Sequence, residues 1–319
     1  MASGTTNTAA SATTTSGDPA PFPVNINQTS SAGAKMCFFA DYLYIAYEKD
    51  GVCWLSRSPD GEHWQDTRAV GIESMDPYTV PALATSDGIL LLAYASNGSF
   101  IVMGTEDGWK WEIHQVVQGS NLNTKGGITM AATDEVYIVW VNQSSWTMWM
   151  IHSIGGISGD TKWTPPSQLI YYAAGTVGCP PTIANFHGNI YLIYQEYGGV
   201  GQSPQPDSPA PTDLYWAQYD GTKWTFGPRI PIDANPGNPC VVCPPDNQVV
   251  VVYTKRDTDM IYAKTSADGV TWGAEMSLVK GKSPGLGVYG FSPDPFMVFN
   301  DSTSELWVTF LLIGPTTGS

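Results

Sequence analysis

Four segments carry the same pair of side chains, an aromatic followed three residues later by a polar group. They are Trp54/Arg57, Trp149/His152, Tyr215/Gln218 and Tyr262/Thr265, with Ile101/Gly104 as a degenerate copy. An aromatic ring stacks on the apolar face of a pyranose while polar neighbours bond its hydroxyls, so such pairs suit sugar recognition. The same aromatics could instead pack between structural units. Other chemistry is poorly supplied. The four histidines, His63, His114, His152 and His187, lack ligand spacing, and Cys240-x-x-Cys243 has no second pair. A closed zinc site wants four such ligands, so no metal is expected. No glycine-rich loop opens a helix, so no phosphate-bearing cofactor is expected either. Glycoside hydrolysis needs two carboxylates about 5–10 Å apart. Glu73, Asp76, Asp233 and Asp294 lie in connections that could reach a common pocket, though nothing in the sequence pairs them.

The elements that position these residues repeat. Apolar runs of strand length close on an aromatic at Tyr47, Tyr94, Trp140, Tyr194, Tyr253 and Phe310, roughly fifty residues apart. Tyr42-Leu-Tyr-Ile-Ala-Tyr47 and Glu135-Val-Tyr-Ile-Val-Trp140 are examples. Runs apolar on both faces suggest strands buried between neighbouring sheets. A shorter strand and a tight turn precede each run, as in Pro81 to Gly88 and Pro181 to Gly188, where Gly accepts a positive φ. These segments would be strands a and b of one sheet. The aromatic/polar pairs fall on strand c, which follows.

After strand c comes a sharper signal. Ser58-Pro-Asp60-Gly61-Glu-His-Trp64, Thr105-Glu-Asp107-Gly108-Trp-Lys-Trp111 and Ser266-Ala-Asp268-Gly269-Val-Thr-Trp272 share S/T-x-D-G-x-x-W, and Asp220 to Trp224 and Asp160 to Trp163 are looser copies. Ser/Thr and Asp side chains can bond N–H groups inside such a turn. These turns resemble the Asp-box, or BNR, repeat of sialidases and related six-bladed β-propellers, over nearly the whole chain. The resemblance implies a structural role for Asp60, Asp107, Asp160, Asp220 and Asp268. In sialidases three arginines hold the substrate carboxylate. Arg57, Arg68, Arg229 and Arg256 are the whole supply here, and Arg229-Ile-Pro231 falls late in the chain rather than in the first blade. A sialidase-like fold without the arginine triad is therefore expected. Asp213 to Trp224 also resembles a strand and turn of the six-bladed fucose-binding lectins of fungi and bacteria. Those lectins carry an Arg, a Glu and an aromatic at sites between blades. No Glu recurs on the c strands here, so the resemblance implies a lectin without that sugar preference.

The composition agrees with an all-β chain. Of 319 residues, 33 are Gly, 24 Pro, 12 Trp and 16 Tyr, while only 13% are charged. The expectation is one domain, residues 1–319, a six-bladed β-propeller with four-stranded antiparallel blades. The ring would be closed by N-terminal strands, with residues 1–15 either strand c of the closing blade or disordered. The net charge of -15 would repel nucleic acid and anionic membranes. No apolar run approaches the ~20 residues needed to cross a bilayer. Residues 1–16 lack the basic and apolar regions of a signal peptide. With the five cysteines, an odd number read as reduced thiols, this predicts a cytoplasmic protein, or one exported without a classical signal peptide. The leading expectation is a lectin for glycans or glycoconjugates. An enzyme with one pocket on the propeller axis is the alternative. A scaffold using the Pro/Ser-rich insertion 198–211 is a third reading.

Overall fold

The repeated b strands form because their β-branched and aromatic residues fit a sheet covered on both faces. Their covers are the neighbouring sheets. The computed structural model describes residues 36–49, 51–60, 63–68, 74–76, 79–119, 122–142, 147–170, 181–197, 212–232, 236–244, 248–255, 260–280, 296–300 and 305–309. Blade 1 is β1 (Met36–Phe39), β2 (Tyr42–Lys49), β3 (Val52–Ser58) and β4 (Gln65–Arg68). Blade 2 is β5 (Ala82–Ser86), β6 (Ile89–Ser96), β7 (Ser99–Thr105) and β8 (Ile113–Val117). Blade 3 is β9 (Thr124–Ala132), β10 (Val136–Asn142) and β11 (Met148–Ile154), with an outer strand in two pieces, β12 (Lys162–Trp163) and β13 (Ser167–Ile170). Pro165 and Pro166 separate those pieces, because proline has no N–H for the ladder.

Blade 4 is β14 (Thr182–Phe186), β15 (Asn189–Tyr197), β16 (Thr212–Tyr219) and β17 (Trp224–Arg229). Blade 5 is β18 (Pro236–Val242), β19 (Val249–Lys255), β20 (Met260–Ser266) and β21 (Met276–Lys280). Every pairing within a blade is antiparallel and sequential. The inner strands β1, β5, β9, β14 and β18 touch in that order, as the strands of a propeller do around its axis.

The expected six blades are not what the structure shows: among the described residues the chain is an all-β propeller of five blades. The last repeat gives only a two-stranded hairpin, β22 (Phe296–Asn300) with β23 (Glu305–Thr309). β22 touches both β1 and β18, and among the described residues no third strand pairs with β23. Counting b strands overstated the blades because a blade also needs its two outer strands. The proposed closing strands at the N-terminus and the insertion 198–211 lie outside the described residues.

Turns set the register. Ala40–Asp41, Asp87–Gly88, Asn97–Gly98 and His187–Gly188 all have positive φ at both positions, the mark of type I′ hairpins. Four of the five Asp turns close as the sequence suggests. Asp107 Oδ1 accepts from Thr105 Oγ1 at 2.9 Å and from the Trp109 and Lys110 N–H groups at 2.7 Å each. Asp268 Oδ1 does the same with Ser266 Oγ, Val270 N and Thr271 N. Asp60 and Asp220 accept backbone N–H groups in their own turns. Asp160 differs. Its neighbour Thr161 takes over, with Oγ1 accepting from Ser158 N at 2.6 Å.

In four of the five turns the closing tryptophan does more than pack on its own blade. Trp111, Trp163, Trp224 and Trp272 lie against the apolar clusters shared with the preceding blade, while Trp64 packs on Met36, Leu43 and Ile45 of its own. The core is thus divided into clusters at the seams. Blades 1 and 2, 2 and 3, 3 and 4, and 4 and 5 each share one.

Candidate functional site

Strand geometry first re-sorts the aromatic/polar pairs. Side chains alternate along a strand, so residues three apart point to opposite faces. Trp149 packs on the cluster shared with blade 2, while His152 faces blade 4. Tyr215 stacks on Tyr194 in the seam with blade 3, whereas Gln218 pairs across the ladder with Tyr191, a member of the seam with blade 5. Tyr262 stacks on Tyr253 in that same seam, and Thr265 pairs with Val250 on the far face. Trp54 pairs with Tyr47, and Arg57 with Tyr44 of the seam between blades 1 and 2. No pair therefore forms one site by itself.

Cross-strand register supplies the partner that chain spacing could not. The third residue of each b-strand run lies opposite the polar position of strand c, giving Tyr44/Arg57, Leu91/Gly104, Tyr137/His152, Tyr191/Gln218 and Val250/Thr265. Three of these five are a tyrosine beside a polar side chain, and each of those three faces the Asp turn of the next blade. The seam between blades 2 and 3 carries no polar pair, only Leu91 beside Gly104. A Cβ on Gly104 would meet Ile113 and Ile89 at 3.0 to 3.1 Å.

The seam between blades 3 and 4 holds the most developed constellation. Glu135 stands at the turn before β10. Its Oε2 accepts from the Tyr137 hydroxyl at 3.0 Å and lies 2.8 Å from His152 Nδ1. The His152 ring stacks on Tyr137 with centroids 5.2 Å apart. Tyr219 of blade 4 closes the far side, 5.9 Å from Tyr137 and 6.5 Å from His152, and Trp224 and then Phe226 continue the aromatic wall outward. Side-chain exposures of 18% for His152 and 31% for Glu135 leave both reachable from solvent. Burial and the Glu135 carboxylate push the Tyr137 phenol far above its ordinary range, so it stays a neutral donor. A carboxylate on Nδ1 fixes the imidazole plane and directs Nε2 away from Glu135.

The seam between blades 1 and 2 is built differently. The Arg57 guanidinium lies between two rings, 4.4 Å from the Tyr42 centroid and 3.5 Å from that of Trp109 on the Asp turn of blade 2. Such contacts contribute about 0.5–2 kcal/mol. Neither Arg57 Nε nor the buried Tyr44 hydroxyl has a hydrogen-bond partner of good geometry. Burial raises the Tyr44 phenol above its usual value, and the nearby Arg57 cation opposes the shift. Gly108 lets the turn sit directly on Tyr44: at φ +76° a Cβ there would fall 2.0 Å from the hydroxyl.

In the seam between blades 4 and 5, Tyr191 donates to the Gly269 carbonyl at 2.5 Å and stacks on Trp216, 5.8 Å away. Gln218 is partly buried beside them.

Sequence reasoning missed Tyr42, Trp109, Glu135, Tyr137, Tyr219 and Trp224. The signal was present in the third position of each b run, but only a ladder register ties it to strand c. Of the four carboxylates considered for an axial pocket, Glu73, Asp233 and Asp294 lie outside the described residues. Asp76 Oδ1 is engaged by the Asn97 N–H at 2.7 Å. Arg229 pairs with Asp213 at 3.2 Å on the outer edge of blade 4. Cys240 and Cys243 are not disulfide-bonded, and among the described residues no three His, Cys, Asp or Glu stand together as metal ligands.

No family model matches the chain, and no curated protein matches it in sequence. Solved structures do match in fold. The Aleuria aurantia lectin in complex with α-methyl-L-fucoside has a TM-score of 0.56 at 14% identity, covering 89% of this chain and 85% of that one. The GH93 α-L-arabinofuranosidase of Fusarium graminearum in complex with arabinobiose has a TM-score of 0.57 at 16% identity, covering 88% of each chain. At these identities the likeness shows the fold, a propeller shared by a lectin and a glycoside hydrolase.

Proposed function

We propose that this propeller binds carbohydrate without transforming it, with sugars lodged in the seams between blades. The observation that carries this reading is the tyrosine-plus-polar ladder pair at the seams of blades 1/2, 3/4 and 4/5, set against aromatics of the next blade in the first two. Aromatic faces for a pyranose and directed donors and acceptors for its hydroxyls meet there. Glu135 and His152 would serve as acceptor and donor for sugar hydroxyls, with Tyr219 or Trp224 as the stacking face. Trp54, Trp149, Tyr215 and Tyr262 are given packing roles at other faces. Glycans or glycoconjugates are the partners this reading names.

An enzyme with a single axial pocket makes a contrary prediction, one ligand per chain on the axis. A glycan array probed with folded protein, followed by His152→Ala on the best ligand, separates the two. The expected result is binding weakened at least tenfold by the substitution. Binding to no glycan at all would sink the lectin reading.

A further inference from the structure

The three polar seams differ in charge, and that difference points to a ligand class. In the 3/4 seam the ionisable side chain His152 already faces a carboxylate of the protein, Glu135. In the 1/2 seam Arg57 does not. It forms no ion pair among the described residues, in a chain whose net charge is -15. On the facing turn of blade 2, Asp107 has its Oδ1 taken up by Thr105, Trp109 and Lys110. A guanidinium is always charged, and leaving it partly buried without an anion is costly. Tyr42 and Trp109 cover its two faces, and on its edge Nε has no acceptor among the described residues. Trp109 is 45% exposed at the tip of a turn, so it can swing aside without disturbing the core.

Resting on the sugar-binding reading above, we propose that the seam between blades 1 and 2 selects a carboxylate-bearing sugar, a hexuronate. Its planar carboxylate accepts from the edge of Arg57, and its ring lies against Trp109. The geometry favours a planar anion, because an arginine edge forms two parallel hydrogen bonds with a carboxylate. In an acidic protein the cost of bringing in an anion is met locally, at a cation that the fold has left without one.

The test is titration calorimetry of the full chain with three matched oligosaccharides: a galacturonate, its neutral galactose counterpart, and a sulfated galactose. It is run on wild type, Arg57→Gln and Arg57→Lys, with melting curves to show that each variant folds. The expected result is a uronate at least tenfold tighter than the neutral sugar. Arg57→Gln should abolish that preference, and Arg57→Lys should restore only part of it. Equal affinity for uronate and neutral sugar, or a preference that survives Arg57→Gln, overturns this proposal and leaves sugar binding intact. A sulfated sugar as tight as the uronate overturns the carboxylate assignment. Binding of none of the three, together with an empty glycan array, removes the sugar reading and this proposal with it.

Discussion

At the scale of single residues, Glu135 is the hinge of the 3/4 seam. One carboxylate oxygen serves both the Tyr137 hydroxyl and the His152 ring. Tyr137 is only 4% exposed, so losing its acceptor leaves a buried hydroxyl unsatisfied. That loss costs about 1–3 kcal/mol. Glu135→Ala should therefore lower unfolding stability by roughly that amount. Glu135→Gln, which keeps an acceptor oxygen for Tyr137, should cost less than half as much. Urea denaturation of both variants checks the ordering, and equal stabilities would show that the carboxylate does not hold the cluster. The residue types of this cluster were visible in the sequence. Their proximity was not, because Glu135 and His152 are joined only by the antiparallel register of β10 with β11.

At the scale of elements, the Asp turns act as acid-sensitive staples. The Asp220 carboxyl is held down to about 2 from 3.8, first by the Thr222 hydroxyl and then by the Lys223 and Thr222 N–H groups. Asp268 is lowered further, mainly by the Thr271 and Val270 N–H groups, and Asp107 is lowered by the same kind of bonds. A folded value below the unfolded one means stabilisation that is complete above 3.8 and lost as pH falls through about 2. The melting temperature should therefore fall across that window. Asp268→Asn should start lower and show a shallower acid slope, since the charged acceptor is gone. A slope identical to wild type would show that the turn carboxylates do not drive acid unfolding. These turns were the most legible elements in the sequence because their bonds are local, within three residues. Asp160 shows the boundary of that legibility. The sequence marks it as one of two looser copies, yet the hydroxyl of Thr161 does the work in its turn.

At the scale of the whole molecule, the seams predict a stoichiometry. Three carry a tyrosine beside a polar side chain, whereas the 2/3 seam carries Leu91 beside Gly104. Titration with a small saccharide should therefore give more than one site per chain, each weak alone, with avidity toward multivalent glycans. A single tight site located on the axis would overturn the seam model in favour of an axial pocket. The ring itself is a consequence of blades that cannot bury both faces alone and must stack on their neighbours.

The sequence by itself determined the strands, the tight turns and the repeat, because each depends on residues close along the chain. It also narrowed the chemistry, since four arginines and scattered histidines leave little for an arginine triad or a metal centre. Only the tertiary structure decided the number of blades. The aromatic at Phe310 ends a run like its predecessors, but a blade requires outer strands beside that run, and among the described residues β23 pairs with β22 alone. Only the tertiary structure decided the sites as well. The pairs Trp54/Arg57 and Trp149/His152 look like units in the chain, yet alternation along a strand sends their members to opposite faces of the blade. What faces Arg57 and His152 instead comes from a paired strand and from the next blade, Trp109 in one case and Tyr219 in the other. Local bonding is written in local spacing, whereas a seam is written in register and stacking, which no single segment contains.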